Sequence, residues 1–327
     1  MTLKIGLVGT GWFSKMHAGL LSKMDGVKVQ AICGSSKEKA ELMAMDFNGI
    51  NGYGRLNEML EEEKLDAVYI CVPPFAHGEI EHELIERGIP FLVEKPLGVD
   101  LQTPTSILNE IKKKSLITSV GYHFRYSQSV QHLKEEIENH TIGLISGYWM
   151  GGMPKVSWWR NQETSGGQFI EQTTHIVDLL RYIAGEVDEV YAAFGNRVMK
   201  EKFDNVTVHD IGCVTMKLKN GVVAQISNSC ILPEGVSQVN MTYFTDKGMV
   251  TWQPDQVTIS ASTSKMQKTF RSGNPYLLES EAFLHAVRTG DTSRILSDYH
   301  DAFRTQMVTS RALESALSGL PVKINVN

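Results

Sequence analysis

The chain has 327 residues and a formal net charge of −5, and this length predicts about two domains. Acidic and basic residues are interspersed, which argues against a nucleic-acid surface or a membrane-binding face. No apolar run is long enough to cross a bilayer, and because the first predicted strand begins almost at once, at Leu3, we expect no signal peptide. We therefore expect a cytoplasmic protein.

The four cysteines are far apart in the chain and show neither metal-ligand spacing nor a disulfide framework. Cys33 and Cys71 lie in apolar runs that are typical of strands, so we expect them to be buried free thiols. Cys213 and Cys230 complete the set. We expect no metal site.

The chain opens with a predicted strand, Lys4–Val8, followed by a glycine-rich turn and a helical run from Ser14 to about Met24. This order is the dinucleotide fingerprint, in which a tight turn lets the backbone approach a pyrophosphate at the helix N-terminus. Ser14 replaces the third glycine and is small enough for close packing. The candidate cofactor residues of this turn are Gly9, Thr10, Gly11, Trp12 and Phe13.

A second predicted strand, Val27–Cys33, ends without the acidic residue that binds the adenosine ribose of NAD. Two hydroxyls, a helix N-terminus and a cation stand there instead, and they could bind a 2′-phosphate. This favours NADP over NAD. A helix capping box is a second interpretation, and it is compatible with the first. The residues concerned are Gly34, Ser35, Ser36 and Lys37.

Strands and helices continue to alternate, which predicts right-handed crossovers and a parallel sheet. The predicted strands are Ala67–Val72, one ending at Val93, and Ile117–Gly121, and the predicted helices are Ala76–Arg87 and Leu101–Lys114. The end of the strand at 67–72 supplies further cofactor candidates, since it lies at the same sheet edge as Gly9. These are Cys71, Pro73, Pro74 and His77, of which His77 could instead be a helix-start residue.

The triplet Glu94-Lys95-Pro96 follows the apolar strand end Phe91–Val93. Proline stops the hydrogen-bond ladder because it has no N–H. Open α/β sheets bind ligands at the carboxyl ends of their strands, so Lys95 is placed where a catalytic group is expected. A lysine at a solvated strand end is the alternative for this residue alone.

The second half begins with Tyr122, His123 and Arg125, before a predicted helix at Ser129–Asn139 and a strand at Gly143–Gly152. A glycine-flanked loop then carries two tryptophans and an arginine. Aromatic faces stack on sugar C–H surfaces and arginine binds oxygens, so Trp158 and Arg160 suit a polyol or sugar pocket. A packed loop under the sheet is an equally open alternative.

A helix predicted over Gly167–Ala184 places three titratable residues on one face, with spacing i, i+4 and i+7. These residues are Glu171, His175 and Asp178. A histidine between two carboxylates can be held in one tautomer and made more basic, which favours a catalytic His175. A structural histidine is the alternative.

The remainder is mostly β-structure and predicts an antiparallel sheet that needs a cover on each face or a partner subunit. The predicted strands lie at about 187–198, 206–218, 222–230, 237–244, 249–252 and 257–261. Helices at about 276–288 and 298–318 precede a last strand at Val322–Val326.

Together these motifs resemble the Gfo/Idh/MocA oxidoreductase family over almost the whole chain. The resemblance implies an α/β N-terminal Rossmann domain with a parallel sheet at 1–121. It also implies an α+β C-terminal domain with a large open, mostly antiparallel sheet at 122–327, often used for homodimer or homotetramer contacts. The resemblance further implies a substrate cleft between the domains, and the C-terminal helices are expected to be able to pack back on the first domain. The motifs are Gly9-Thr10-Gly11, Pro73-Pro74 with His77, Glu94-Lys95-Pro96, Arg125, and Gly166-Gly167 followed by Glu171, His175 and Asp178.

The resemblance also implies roles for individual residues. The catalytic lysine and histidine of the family correspond to Lys95 and His175, and Glu171 replaces the family's usual aspartate with one more methylene. Glu94 would approach the nicotinamide ribose, and Glu171 would orient His175. The candidates for the substrate pocket wall are Tyr122, His123, Arg125, Trp158, Arg160 and Asp178.

We therefore expect reversible hydride transfer between NADP, or NAD, and a carbinol carbon of a sugar, polyol or related hydroxy compound. Two alternatives remain open at this point. One is a nucleotide-dependent glycoside hydrolase on the same fold, and the other is a non-catalytic dinucleotide sensor.

Overall fold

The computed structural model describes residues 2–47, 49–262, 264–270 and 273–325. They form two compact units. The first unit takes in the described residues of 1–98, 102–122 and 276–303, and the second takes in those of 99–101, 123–275 and 304–327. None of the helices in the described chain combines the length and the apolar run that crossing a membrane would take.

Each unit contains one sheet. The strands of the first are β1 (Leu3–Val8), β2 (Val27–Cys33), β3 (Asn51–Tyr53), β4 (Ala67–Ile70), β5 (Phe91–Val93) and β6 (Thr118–Val120). Those of the second are β7 (Ile142–Met150), β8 (Val187–Gly195), β9 (Ile211–Leu218), β10 (Val223–Ser229), β11 (Gln238–Thr245), β12 (Gly248–Gln253), β13 (Gln256–Ala261), β14 (Ser264–Thr269) and β15 (Val322–Lys323).

The α-helices of the described residues are α1 (Trp12–Leu21), α2 (Lys37–Ala44), α3 (Leu56–Glu62), α4 (Glu79–Arg87), α5 (Gln102–Lys114), α6 (Gln128–Ile137), α7 (Gln162–Ser165), α8 (Gln168–Glu171), α9 (Thr174–Ala184), α10 (Met199–Lys202), α11 (Pro275–Thr289) and α12 (Tyr299–Ser318). Short 3₁₀ turns lie at Pro74–Ala76, His123–Tyr126 and Ser157–Arg160.

The first sheet has the strand order β3-β2-β1-β4-β5-β6, and its pairs are all parallel. Every residue of β4, β5 and β6 is buried, as expected for strands covered on both faces. The order reverses between β1 and β4, and ligands of such sheets bind at this switch point. The predicted parallel Rossmann sheet is confirmed.

Residues from late in the chain complete the first core. Phe283 of α11 is fully buried, and its ring meets that of Tyr69 on β4 edge to face, with centroids 5.6 Å apart. Leu284 packs into the same cluster as Ile5, Leu7 and Ile32. The fold of the first unit therefore needs α11 as well as the N-terminal strands.

The second sheet has the order β14-β13-β12-β11-β7-β10-β9-β8-β15. Its neighbours pair antiparallel except for β7 and β10, which are parallel. Along β9 the side chains alternate: Val214, Met216 and Leu218 are buried, whereas Thr215 and Lys217 are exposed. This alternation means that helices and loops cover one face only, and the predicted mostly antiparallel sheet is confirmed.

The predicted continuous helix over 167–184 is wrong, because α8 ends at Glu171 and α9 begins at Thr174. At the break the Thr173 N–H bonds to the Gln168 carbonyl five residues back, at 2.9 Å, rather than four residues back. This wider turn shifts the phase of the helix. Glu171 and His175 therefore lie on two separate helices, and their i, i+4 spacing does not describe one face.

Other boundaries differ for local reasons. The strand expected from Val206 begins only at Ile211, because the Asp210 carboxylate accepts hydrogen bonds from backbone N–H groups of 197–199 and holds an irregular turn. The strands β3 and β14 and the helix α3 were not predicted: β3 has three residues and β14 is exposed throughout, so neither shows a hydrophobic period. The expected strand end at Val326 lies outside the described residues.

Candidate active site

The turn after β1 is built for close backbone packing. Gly9 has a φ of +113°, and its N–H donates to the Cys33 carbonyl at 2.8 Å. A Cβ at this position would lie 2.2 Å from the Cys71 carbonyl oxygen, so a side chain is excluded. The buried Ser14 hydroxyl donates to the Gly9 carbonyl at 2.7 Å. Ser14 is therefore small enough for close packing between helix and strand, and its hydroxyl also fixes the conformation of the turn at Gly9.

The other glycine of the turn faces open space. Gly11 caps the ten-residue helix α1, and no atom of the described residues lies within 4 Å of its ideal Cβ position. The first turn of α1 has no acidic residue, and Trp12 beside it is 70% exposed. A helix N-terminus with accessible N–H groups and no competing carboxylate fits a dinucleotide phosphate. Thr10 and Phe13 flank the same turn.

The end of β2 is also packed tightly. The Gly34 N–H donates to the Tyr53 carbonyl at 2.9 Å, and a Cβ at Gly34 would lie 2.9 Å from the Thr10 side chain. The glycine therefore lets the turns after β1 and β2 approach each other at the sheet edge where an adenosine would bind.

Hydroxyls and cations follow this glycine. The Ser36 hydroxyl caps α2 by accepting from the Lys39 N–H at 3.4 Å, and the Lys39 ammonium donates to the Ser35 hydroxyl at 3.1 Å. Lys37 is exposed and lies 3.9 Å from Glu41. The capping interpretation is confirmed for Ser36. Lys39 was not among the predicted residues. Ser35 precedes the Ser36 N-cap of α2, so the contact crosses the start of the helix and no helical spacing indicates it.

The histidine in the turn after β4, His77, has a buried side chain. His77 Nδ1 lies 2.5 Å from Glu81, whose other oxygen accepts from the Gly78 N–H at 2.7 Å, and both side chains are buried. Burial alone would raise the pKa of Glu81, but the charge of His77 and these hydrogen bonds hold it below its usual range. The helix-start alternative accounts for these contacts. The cofactor contacts of His77, Pro73 and Pro74 stay predictions.

Cys71 is buried, as expected for a strand-end thiol, and Cys33 is buried too. Burial raises the pKa of the Cys71 thiol well above its usual range, and the negative charges of Glu94 and Glu279 raise it further. A buried thiol of this kind is typical of a structural cysteine. The main-chain carbonyl of Cys71 is the group that shapes the site, through its approach to Gly9.

The triplet after β5 places a carboxylate and an ammonium in sequence. Glu94 is buried and one of its oxygens lies 2.9 Å from Nε2 of His17, on α1. Lys95 is half-buried and is joined to Pro96 by a cis peptide bond. His17 was not predicted, because it lies 77 residues from Glu94 and no local pattern connects the two.

In the second unit, His175 lies on α9 inside a group of aromatic rings. Its ring centroid is 5.0 Å from that of His123, 5.3 Å from that of Phe124 and 5.7 Å from that of Trp149, which is nearly parallel to it. The side chain is buried. Three neighbouring rings restrict the orientation of the imidazole, which is what a proton-transfer group requires. Phe124 and Trp149 were not predicted.

Glu171, on α8, accepts a hydrogen bond from the indole N–H of Trp159 at 2.7 Å, and Trp159 is fully buried. The carboxylate therefore holds the 3₁₀ turn at 157–160. Of the residues predicted in this turn, Arg160 lies over the Phe203 ring at 4.0 Å, and Trp158 packs against the cluster around Trp159. The packed-loop alternative describes these contacts, and the substrate contacts of Trp158 and Arg160 stay predictions.

Arg125 and Asp178 form a buried ion pair with two hydrogen bonds. Arg125 Nε and Nη2 lie 2.8 and 2.6 Å from the two oxygens of Asp178, and the Thr305 hydroxyl donates to one of them at 3.0 Å. Arg181 in turn donates to Thr305 at 2.6 Å. The pair joins the turn that carries His123 and Phe124 to α9. This geometry favours a positioning role for Arg125 and Asp178. Their place in the substrate pocket wall, with Tyr122 and His123, stays a prediction.

The described residues contain no group of three or more histidines, cysteines, aspartates or glutamates arranged to hold a metal ion.

Two family models match the chain. One, described as "Oxidoreductase family, NAD-binding Rossmann fold", covers residues 3–122, and the other, "GFO/IDH/MocA C-terminal domain", covers residues 130–251. Among curated proteins, the chain is 28% identical over 253 residues to a myo-inositol 2-dehydrogenase of Thermotoga maritima, covering 76% of this chain and 74% of the relative. It is 27% identical over 344 residues to a scyllo-inositol 2-dehydrogenase (NAD(+)) of Bacillus subtilis, covering 99% and 97%.

Solved structures of the same fold include a myo-inositol 2-dehydrogenase from Lactobacillus plantarum, with a TM-score of 0.85, 22% identity and coverage of 99% of this chain and 100% of that one. A levoglucosan dehydrogenase in complex with NADH and L-sorbose has a TM-score of 0.88, 18% identity and coverage of 99% and 100%. At these identities the likeness is one of fold.

Replacement of Asp178 by alanine should lower the free energy of unfolding by about 3–5 kcal/mol, because Arg125 would stay buried without its carboxylate. Urea unfolding followed by tryptophan fluorescence measures this, since four of the five tryptophans belong to the second unit. The matched control is Glu234→Ala, which breaks an exposed pair with Lys155 and should cost far less. Equal losses in the two variants would contradict the role of the buried pair.

Proposed function

This chain belongs to the Gfo/Idh/MocA oxidoreductase family, and on that premise we propose that it oxidises and reduces a carbinol carbon of a sugar, polyol or related hydroxy compound. The observation that carries the proposal is the turn at Gly9 and Gly11. One glycine is packed against backbone and the other faces open space at a helix N-terminus, at the switch point of a parallel sheet. The names of the curated relatives, which are inositol dehydrogenases, support the substrate class.

A bound nicotinamide supplies the hydride acceptor in oxidation and the hydride donor in reduction. His175 takes the hydroxyl proton during oxidation, and its ring group of His123, Phe124 and Trp149 holds the imidazole for that transfer. Lys95 donates a hydrogen bond to the reacting oxygen and stabilises the charge that develops there. Glu171 remains a catalytic candidate, and its bond to Trp159 holds the neighbouring turn. The hydrolase and sensor alternatives are not favoured, because the named relatives are dehydrogenases.

Lys95→Ala and His175→Ala should each lower kcat by at least about 100-fold, because each removes a group that handles a proton or charge in the reaction. The measurement is nicotinamide absorbance at steady state, with NADP⁺ and NAD⁺ tested separately against sugars, polyols and inositols. Lys155→Ala and His285→Ala, which replace the same residue types elsewhere on the surface, serve as controls. Near-wild-type turnover in both of the first two variants would refute the assigned roles.

We further propose that NADP is preferred over NAD. The four residues directly after β2, Gly34 to Lys37, include no carboxylate. Ser35, Ser36 and the cations Lys37 and Lys39 lie at the N-terminus of α2, whose first turn also carries Glu38. Hydroxyls and ammonium groups at a helix N-terminus attract a 2′-phosphate, whereas a carboxylate there would repel it.

Ser35→Asp should shift the ratio of kcat/KM for NADP to that for NAD toward NAD by about tenfold or more, because it places a negative charge where the 2′-phosphate would bind. Ser35→Asn is the control of matched size without the charge, and it should change the ratio much less. An unchanged ratio in Ser35→Asp would show that this turn does not select the cofactor.

The second sheet is proposed to form a homodimer or homotetramer. Four apolar side chains lie directly opposite one another across β10, β7, β11 and β12: Val223, Leu144, Phe244 and Met249. Leu144 and Met249 are each 45% exposed and Val223 is 37% exposed. An apolar row of this kind on an open sheet face is better stabilised when a second copy covers it.

Leu144→Lys should shift the protein toward monomer in sedimentation velocity, because it places a charge in the middle of this row. Leu317→Lys, at an exposed position near the end of α12, is the matched control and should leave the assembly unchanged. A wild-type protein that sediments as a monomer at all concentrations would contradict the proposal.

A further inference from the structure

His17 and Glu94 form a buried pair within the first unit. The ring of His17, on α1, is completely buried, and its Nε2 lies 2.9 Å from Oε1 of Glu94, which follows β5. An ionised carboxylate only accepts hydrogen bonds, so the imidazole N–H is the donor. A carboxylate that leaves water needs such donors, and the pair therefore decides where the Glu94 side chain points.

The glycine at position 121, which has no side chain, leaves room for the Glu94 carboxylate. Gly121 follows β6, and its N–H donates to the Val93 carbonyl at 2.9 Å. A Cβ at Gly121 would lie 2.5 Å from Oε2 of Glu94 and 2.8 Å from its carboxyl carbon. Gly121 does not have a positive φ, so space and not backbone conformation requires the glycine here. The carboxylate is thus held between α1 on one side and the end of β6 on the other.

The ring of His17 is itself fixed by its neighbours. Its centroid lies 5.3 Å from that of Tyr69, and the Tyr276 ring meets it edge to face at 6.2 Å. Burial raises the pKa of the Tyr276 phenol, and the negative charges of Glu94 and Glu279 raise it further. A rotation of His17 would have to displace two packed aromatic rings, so the donor keeps its position.

The second oxygen of Glu94 is in a different situation. Within the described residues Oε2 has no hydrogen-bond donor, and 7% of the side chain is exposed. Glu94 immediately precedes Lys95, at the carboxyl edge of the sheet next to the switch point. A carboxylate oxygen in this position is able to accept hydrogen bonds from a diol placed beside it.

We propose that His17 is a positioning residue that holds Glu94 so that Oε2 can accept a hydrogen bond from the nicotinamide ribose of the cofactor. This inference rests on the proposed function, and it concerns only the nicotinamide half of the dinucleotide. His17 does not touch the cofactor, and it acts through the orientation of the Glu94 carboxylate.

The test compares two nucleotides by isothermal titration calorimetry. NADP⁺ carries the nicotinamide ribose, whereas 2′,5′-ADP carries only the adenosine half. His17→Asn, which moves the donor away from the Nε2 position, should weaken NADP⁺ binding by about tenfold and leave 2′,5′-ADP binding unchanged. His17→Gln places its amide N–H near the position of Nε2 and should restore most of the affinity. Tyr69→Phe is the matched control, since it alters the same core without changing the pair.

A double-mutant cycle with Glu94→Gln tests whether His17 acts through Glu94. In the Glu94→Gln background, His17→Asn should cause no further loss of NADP⁺ affinity, because the interaction it disrupts is already gone. Additive losses would overturn the proposal. Thermal unfolding of each variant, with 2′,5′-ADP binding as a second measure of folding, separates lost structure from lost contacts.

The outcomes distinguish this inference from the proposed function. Equal weakening of NADP⁺ and 2′,5′-ADP in His17→Asn, or no rescue by His17→Gln, would show a purely structural histidine and leave the proposed function standing. Failure of the wild-type protein to bind NADP⁺ or NAD⁺ would overturn the proposed function, and this inference with it.

Discussion

The first unit depends on the approach of the Gly9 backbone to the Cys71 carbonyl. An ideal Cβ at Gly9 would come within 2.2 Å of that oxygen, so β1 and β4 can end side by side only if the residue after β1 is glycine. The same contact places the N-terminus of α1 at the point where the strand order reverses. Ser14 then ties the helix back to Gly9, and His17, one turn further on, reaches Glu94 beyond β5. One backbone contact thereby aligns the glycine turn with the Glu94 carboxylate and with Lys95.

In the second unit, the central interaction is a buried ion pair and not a backbone contact. Arg125 and Asp178 are buried and bonded through two nitrogens and two oxygens, and Thr305 and Arg181 extend the network. A buried ion pair is weak evidence for net stability, since desolvation offsets most of the Coulomb attraction. Its value here is geometric. It fixes the turn bearing His123 and Phe124 against the helix bearing His175, so that rings from two segments hold one imidazole.

The sequence predicted best the features that depend on neighbouring residues. The Gly-Thr-Gly turn and the strand before Glu94 follow from local periodicity and turn chemistry, and the parallel and antiparallel sheets were correctly assigned. The prediction of one continuous helix over 167–184 was wrong because the Thr173 N–H bonds to the carbonyl five residues back. This bond rotates the side chains that follow it relative to those before it, and the amino-acid composition gives no sign of it. His17 and Lys39 were missed, and the hydrogen bond between Trp159 and Glu171 was not predicted, for a related reason: packing or a turn brings these partners together, and hydrophobic periodicity does not indicate such contacts.

The two halves of the proposed cofactor site differ in what builds them, and this decides how each responds to substitution. In the proposed site, the turn at Gly9 and Gly11 offers main-chain groups to the phosphates, and main-chain groups carry no information about the 2′-position. The proposed selection between NADP and NAD would then come from side chains such as Ser35 and Lys39, which are solvent-accessible. Glu94 is the opposite case. Its carboxylate is enclosed by His17 and Gly121, so a change there alters binding and packing together. If the site is used as proposed, cofactor preference would change with these exposed side chains, whereas the geometry at Glu94 is constrained by the core.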